Sequence, residues 1–130
     1  MENEELKIIK DIERDLKFIE NEIIAKQYEK DKVTGEERYV KYSRALKCVV
    51  AINLTKKQYV NYWTAQYKSH PEQLKRILEK IDDKFENGLI SAKEMAELVR
   101  QSKDFESEKK SALKGLTKPK EEKIGEDSQC

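Results

Sequence analysis

The sequence predicts an all-α protein, a small helical bundle of about five helices with a long N-terminal helix and a disordered C-terminal tail. The chain has 130 residues but only four glycines and two prolines, too few for a many-turned β-sandwich or barrel. Glu, Lys, Leu and Ile are abundant, and with so few breakers they favour helices. We therefore expect one helical domain over residues 1–114. Over residues 115–130, charge and proline replace apolar residues, which is typical of disorder.

The first predicted helix covers residues 4–30. Its apolar side chains recur at steps of three and four, which places them on one stripe. The stripe consists of Ile9, Ile12, Leu16, Ile19 and Ile23. A helix with one apolar stripe must cover it. We expect this stripe to pack inside the bundle, and its heptad-like coiled-coil spacing also permits a homodimer through the first helix.

The second predicted helix covers residues 35–53. Thr34 and Glu37 have the spacing of a capping box, and apolar residues keep a helical period well beyond it. The alternative is a β-hairpin around residues 27–42, in which Gly35 supplies the left-handed turn residue. The helix is favoured because the apolar period continues past the end of that hairpin.

Three further helices are predicted from local start signals. Capping boxes of Thr55 with Gln58 and of Ser91 with Glu94 begin two of them, and Pro71 suits the first position of the other. Their expected ranges are 55–68, 71–87 and 91–105, with Asn87-Gly88 as a left-handed cap.

Charge is distributed unevenly, although the formal net charge is only +1. Residues 1–37 carry twelve acids and seven bases, whereas residues 38–71 carry seven bases and no acid. Five of the six tyrosines and the only tryptophan also fall in the acid-free window. The window predicts a surface for an acidic ligand.

This window favours a small non-enzymatic accessory protein that binds nucleic acid through residues 38–68. Lysine and arginine neutralise phosphates, and aromatic rings can stack on unpaired bases. The bases would form a winding stripe on the second helix, and two lysines would lie at the anion-attracting start of the third. The candidate binding residues are Arg38, Lys41, Tyr42, Arg44, Lys47, Lys56, Lys57, Tyr59, Tyr62 and Lys68.

Two other interpretations use the same residues. The first is a protein–protein interaction adaptor or inhibitor that engages an acidic protein partner, since tyrosine and tryptophan suit interfaces. The second is purely structural. Tyr59, Trp63 and Tyr67 recur every four residues, as core side chains do, and Trp63 is expected in the core. The acidic first helix could also neutralise the basic second one.

The sequence contains few features that are typical of an enzyme. His70 is the only histidine and precedes a proline, so a catalytic triad or a histidine metal cluster is not expected. P-loop, GxGxxG and EF-hand patterns are lacking, and we expect no cofactor.

The expected location is the cytoplasm. The acidic segment MENEELK is not expected to act as a signal peptide, no apolar run is long enough to predict a membrane span, and two cysteines do not predict a disulfide framework. The small size, the Lys/Glu/Ile-rich composition and the lack of enzymatic motifs are typical of an accessory protein of a phage or other mobile element.

Overall fold

The computed structural model describes residues 2–118, which form five helices and one three-stranded antiparallel sheet. The helices are α1 (Glu2–Glu20), α2 (Lys56–Gln66), α3 (Pro71–Asn87), α4 (Ala92–Arg100) and α5 (Glu106–Gly115). The strands are β1 (Glu22–Lys26), β2 (Tyr39–Ser43) and β3 (Cys48–Leu54), with β2 in the centre. The all-α prediction is therefore wrong, and the fold is mixed α/β.

The sheet lies between two helical layers. On one face, α1, α2 and α3 enclose a core that includes Ile24 and Ile81. On the other face, α4 and α5 cover a second core that includes Ile23 and Met95. Neighbouring residues of a strand point to opposite faces, so Ile23 and Ile24 serve different cores.

The first helix is shorter than predicted and ends at Glu20. Ile23, which the helical stripe included, lies in β1 instead. The first four residues of β1 are buried, and a short buried strand cannot be distinguished from a buried helical turn by periodicity alone. The Lys84 ammonium donates to the carbonyl oxygens of Glu20 and Glu22. A positive charge at this position stabilises the C-terminal end of the helix.

The predicted second helix is wrong. Residues 35–53 form the end of a loop, β2, a turn and most of β3. The apolar spacing that resembled one helix comes from two antiparallel strands, and the β-branched residues Val49, Val50 and Ile52 of β3 favour a strand. The predicted capping box is not formed, because the Thr34 hydroxyl accepts from the Glu36 N–H within the loop.

A β-hairpin joins β1 to β2, although its first strand lies earlier in the chain than the hairpin alternative placed it. Residues 27–38 form the long connection. Gly35 has a φ of +74°, a left-handed conformation that side chains disfavour. The Asp31 carboxylate accepts from the N–H groups of Val33 and Thr34 at 2.8 and 3.2 Å, which fixes the turn locally.

The predicted starts of the later helices are confirmed. Thr55 and Ser91 make the reciprocal hydrogen bonds of a capping box, and Pro71 begins α3. Gly88 ends α3 as expected, but with a φ of −110°, so the predicted left-handed cap is wrong. A helix start depends on residues within one turn, which explains why the sequence was sufficient here.

The C-terminal part of the fold reaches slightly beyond residue 114. Gly115 is the last residue of α5, and Leu116 is buried in the second core. The remainder of the predicted tail, residues 119–130, lies outside the described residues.

Candidate functional site

The sheet separates the residues that were predicted to form one basic stripe. Arg38, Lys56 and Lys57 lie near the start of β2, because Leu54 pairs with Tyr39 there. Arg44 and Lys47 follow the other end of β2. A five-residue strand is about 16 Å long, so these groups form two separate surfaces. The winding helical stripe does not exist.

Internal contacts occupy half of the predicted binding residues. Three cations form ion pairs: Arg38 with Asp31 at 3.8 Å, Lys41 with Glu22 at 3.2 Å and Lys56 with Asp82 at 2.9 Å. Two tyrosines are buried, namely Tyr42 and Tyr59. Trp63 is buried, as expected. The predicted residues that remain exposed are Arg44, Lys47, Lys57, Tyr62 and Lys68.

Main-chain hydrogen bonds gather four exposed cations at one end of the sheet. The Asn21 N–H donates to the Lys17 carbonyl at 3.1 Å, and the Arg44 N–H donates to the Asn21 carbonyl at 2.9 Å. The Lys103 N–H donates to the Lys47 carbonyl at 3.2 Å. Arg44 and Lys47 flank the β2–β3 turn. We call the four cations Lys17, Arg44, Lys47 and Lys103 the basic end.

None of these four cations forms an ion pair in the described part of the chain. Asp104 is the nearest acid along the chain, but its carboxylate accepts from the Val49 N–H at 2.8 Å and from the Ser102 hydroxyl at 2.7 Å. The carboxylate of Glu20 is paired with Lys80 at 3.1 Å. Both donors to Asp104 are neutral, so this carboxylate keeps its negative charge, but four cations against one such acid leave the basic end net positive.

The sequence predicted two members of the basic end and missed the other two. Lys17 and Lys103 lie outside the acid-free window, and each has acids close to it in the chain. They reach the basic end only because α1 ends there and the segment after α4 runs beside β3. No signal along the chain could have found them.

A second feature is a cleft between α1 and α2, with the sheet as its floor. Its volume is about 390 Å³. We call it the α1–α2 cleft, and its lining residues are Arg14, Asp15, Phe18, Glu22, Lys41, Val50, Tyr62 and Trp63. Aromatic side chains form much of the wall, and charged groups form part of the floor.

The floor of the cleft holds a buried charge network. Glu22 is only 2% exposed, and its carboxylate accepts from the Tyr59 hydroxyl and pairs with Lys41. The Lys41 ammonium also lies 4.2 Å from the centre of the Tyr59 ring. Both carboxylate oxygens therefore have partners, which a buried charge requires.

The rim of the cleft repeats this arrangement. The Asp15 carboxylate accepts from the Tyr67 hydroxyl at 2.6 Å and from the Arg14 guanidinium at 3.2 Å. Burial and this carboxylate raise the pKa of Tyr67, and burial with the charge of Glu22 raises the pKa of Tyr59. Both tyrosines act as neutral donors to carboxylates at pH 7.

The protein should lose stability as pH rises above 10. Burial raises the pKa of Tyr39, Tyr42, Tyr59 and Tyr67 above the ordinary value of 10.0. The folded state then holds these protons more tightly, so their contribution is complete below pH 10 and is lost above it. Burial lowers the pKa of Lys84, so this group has the opposite effect and adds stability as the pH rises toward 10.5.

Because four tyrosines lose their contribution and one lysine gains, we expect a net loss of stability. The absorbance of tyrosinate can be titrated in native buffer and in concentrated guanidinium chloride. It should rise at a higher pH in the native sample than in the unfolded one. Superimposed titration curves would contradict this expectation.

The described residues contain no cluster of three or more His, Cys, Asp or Glu side chains arranged to hold a metal ion. Within the same range, no helix combines the length and apolar content that crossing a membrane requires.

Comparison with known proteins gives no relative. No protein-family model matches the chain, and neither the curated proteins nor the solved structures show a significant match. The basic end and the cleft are therefore the features of the molecule that bear on its function.

Proposed function

We propose that the protein is a small non-enzymatic accessory protein that binds nucleic acid at the basic end. The observation that carries the proposal is the gathering of four exposed cations, none of them in an ion pair within the described residues, around the β2–β3 turn. Two of the four were predicted from the acid-free window. The other two add to the same surface from distant parts of the chain.

Main-chain contacts between the segments that carry these cations favour one continuous region of positive potential. Arg44 is hydrogen-bonded to Asn21, one helical turn beyond Lys17, and Lys47 is hydrogen-bonded to Lys103. Charges that lie within a Debye length, about 8–10 Å at physiological salt, reinforce one another. A polyanion with regularly spaced phosphates would release counterions on binding such a surface. Phosphate contacts of this kind give affinity without reading sequence.

The double charge reversal R44E/K47E should weaken binding of DNA or RNA on the order of 10- to 100-fold at about 0.1 M salt, because two phosphate contacts are lost. The dependence of affinity on salt should also become shallower, by about one unit of slope for each lost contact. Fluorescence anisotropy with labelled oligonucleotides over a range of salt concentrations measures both effects.

The matched control is K57E/K68E. It changes the net charge by the same amount and replaces two exposed lysines of the same acid-free window, but these lysines lie on α2 or directly after it and do not belong to the basic end. We expect a much smaller loss of affinity. Equal losses in the two variants would show a response to net charge alone and would contradict a site at the basic end. An absence of binding to every oligonucleotide at low salt would also contradict the proposal.

A second candidate function is binding of an acidic protein partner at the same end. Leu46 and Phe105 are exposed there, Leu46 in the turn between Arg44 and Lys47. Exposed apolar side chains beside arginine are typical of protein interfaces. Affinity purification with and without nuclease separates the two functions. A partner that survives nuclease and is lost in L46A/F105A would support the protein partner, whereas loss on nuclease treatment would support nucleic acid.

A further inference from the structure

The α1–α2 cleft and the basic end are connected along one face of α1. Arg14 lines the cleft, and Lys17 lies one turn further along the same helix face, since residues three or four apart are neighbours on a helix. Asn21 follows Lys17 by another turn and is hydrogen-bonded to Arg44. A short row of two cations, Lys17 and Arg44, therefore runs from beside the cleft to the basic end, whereas Arg14 is already paired with Asp11 at 3.4 Å and Asp15 at 3.2 Å.

The cleft offers aromatic surface next to this row. Tyr62 is 57% exposed and meets the buried Trp63 edge to face, with ring centres 5.1 Å apart. Phe18 lines the cleft from α1, across from α2. The exposed part of the Tyr62 ring is available to a planar group, and base–aromatic stacking is how sequence-tolerant proteins hold single strands.

The acids in the cleft do not repel an anionic ligand. Glu22 is matched by Lys41 and Tyr59, and Asp15 is matched by Arg14 and Tyr67. The four charged side chains of the lining sum to zero, which suits the uncharged base of a nucleotide better than its phosphate. The phosphates would instead lie on the cations outside the cleft.

Trp63 supplies a second observation. Its indole Nε1–H is buried and forms no hydrogen bond of ordinary geometry among the described residues, although it lies close enough to the Tyr59 hydroxyl to offset part of the rise that burial causes in the pKa of Tyr59. Buried donors in folded proteins nearly always have a partner, so an unpaired one calls for an explanation. Trp63 therefore keeps a poorly satisfied donor in the wall of the cleft.

We propose that the α1–α2 cleft holds one unpaired base of a single-stranded nucleic acid, stacked on Tyr62, while the phosphates of that strand lie along Lys17 and Arg44. The inference rests on the proposed function and specifies its ligand. A volume of about 390 Å³ lies at the lower end of small-ligand sites. A duplex base would have to leave its stack to enter, which costs free energy that an unpaired base does not pay. The protein should therefore prefer single strands to duplexes.

The test compares a labelled single strand with the corresponding duplex by fluorescence anisotropy at low salt. The variant Y62A should weaken single-strand binding on the order of tenfold and leave duplex binding unchanged, because only the unpaired base stacks. Y62F should bind like the unchanged protein, since stacking needs the ring and not the hydroxyl. The control is Y28A, since Tyr28 is similarly exposed but does not line the cleft.

Trp63 provides an independent signal, because it is the only tryptophan and lies beside Tyr62. Its fluorescence should change when an unlabelled single strand is added, and should change much less with the duplex. Single-strand binding that Y62A leaves intact, or binding without a change in tryptophan fluorescence, would overturn the cleft assignment while the basic end stands. Absence of binding to both ligands would overturn the proposed function itself.

Discussion

Replacing Lys41 with methionine should lower the free energy of unfolding by about 3–5 kcal/mol, because it leaves the Glu22 carboxylate buried without its cation. Glu22 is 2% exposed, and its pair with Lys41 is the most buried of the ion pairs in the described residues. Methionine keeps the length of the aliphatic stem, so the loss reports mainly the charge. Urea unfolding at pH 7 measures it.

The matched control is Lys26→Met. Lys26 pairs with Glu37 at 3.1 Å, similar in distance to the Lys41 pair, but the two side chains are 53% and 33% exposed. Exposed pairs contribute about 0–1 kcal/mol, so this variant should be nearly as stable as the original. Adding Glu22→Gln to Lys41→Met removes the isolated charge and should restore part of the loss. If both lysine variants lost the same small amount, Glu22 would not depend on Lys41.

Truncating Ile19 to alanine should cost about 2–5 kcal/mol, the usual range for removing a buried aliphatic side chain. Ile19 is 0% exposed and packs in the core between α1 and the sheet. Ile9 belongs to the same predicted stripe but is 51% exposed. Ile9→Ala should therefore change stability by less than about 0.5 kcal/mol. Thermal or urea unfolding of the two variants compares the same substitution at two positions on one helix.

Protein concentration provides a further check on this prediction. Ile12 and Ile19 are buried within a single chain, so their contribution does not need a second copy. The effect of Ile19→Ala should be the same at low and high protein concentration. An effect that grows with concentration would instead indicate that α1 is buried in a dimer, because association links stability to concentration.

Features that depend on a few neighbouring residues were predictable. Thr55 caps α2, Ser91 caps α4 and Pro71 begins α3, because each of these signals acts within one helical turn. The burial of Trp63 was also predictable, since its spacing with Tyr59 and Tyr67 is that of a core stripe. These assignments did not require knowledge of what each helix packs against.

The strands were not predictable by the same method. In β1 most side chains are buried on both faces of the sheet, so the alternation that identifies a strand is lost. In β3 two irregularities in the pairing with β2 interrupt the period of two. Asn53 takes a positive φ there and is held by Gln27 through paired amide hydrogen bonds at 2.7 and 2.8 Å. That contact spans 26 residues and has no local signal.

The sequence by itself determined where several helices begin and which segment is rich in bases and aromatic residues. Only the tertiary structure decided which bases face solvent together. It paired Lys41 with Glu22 in the interior and brought Lys17 and Lys103 beside Arg44 and Lys47. The physical reason is the distance over which each interaction acts. Capping and helix propensity act between neighbours along the chain, whereas charge pairing and burial depend on distances in space that strand pairing sets.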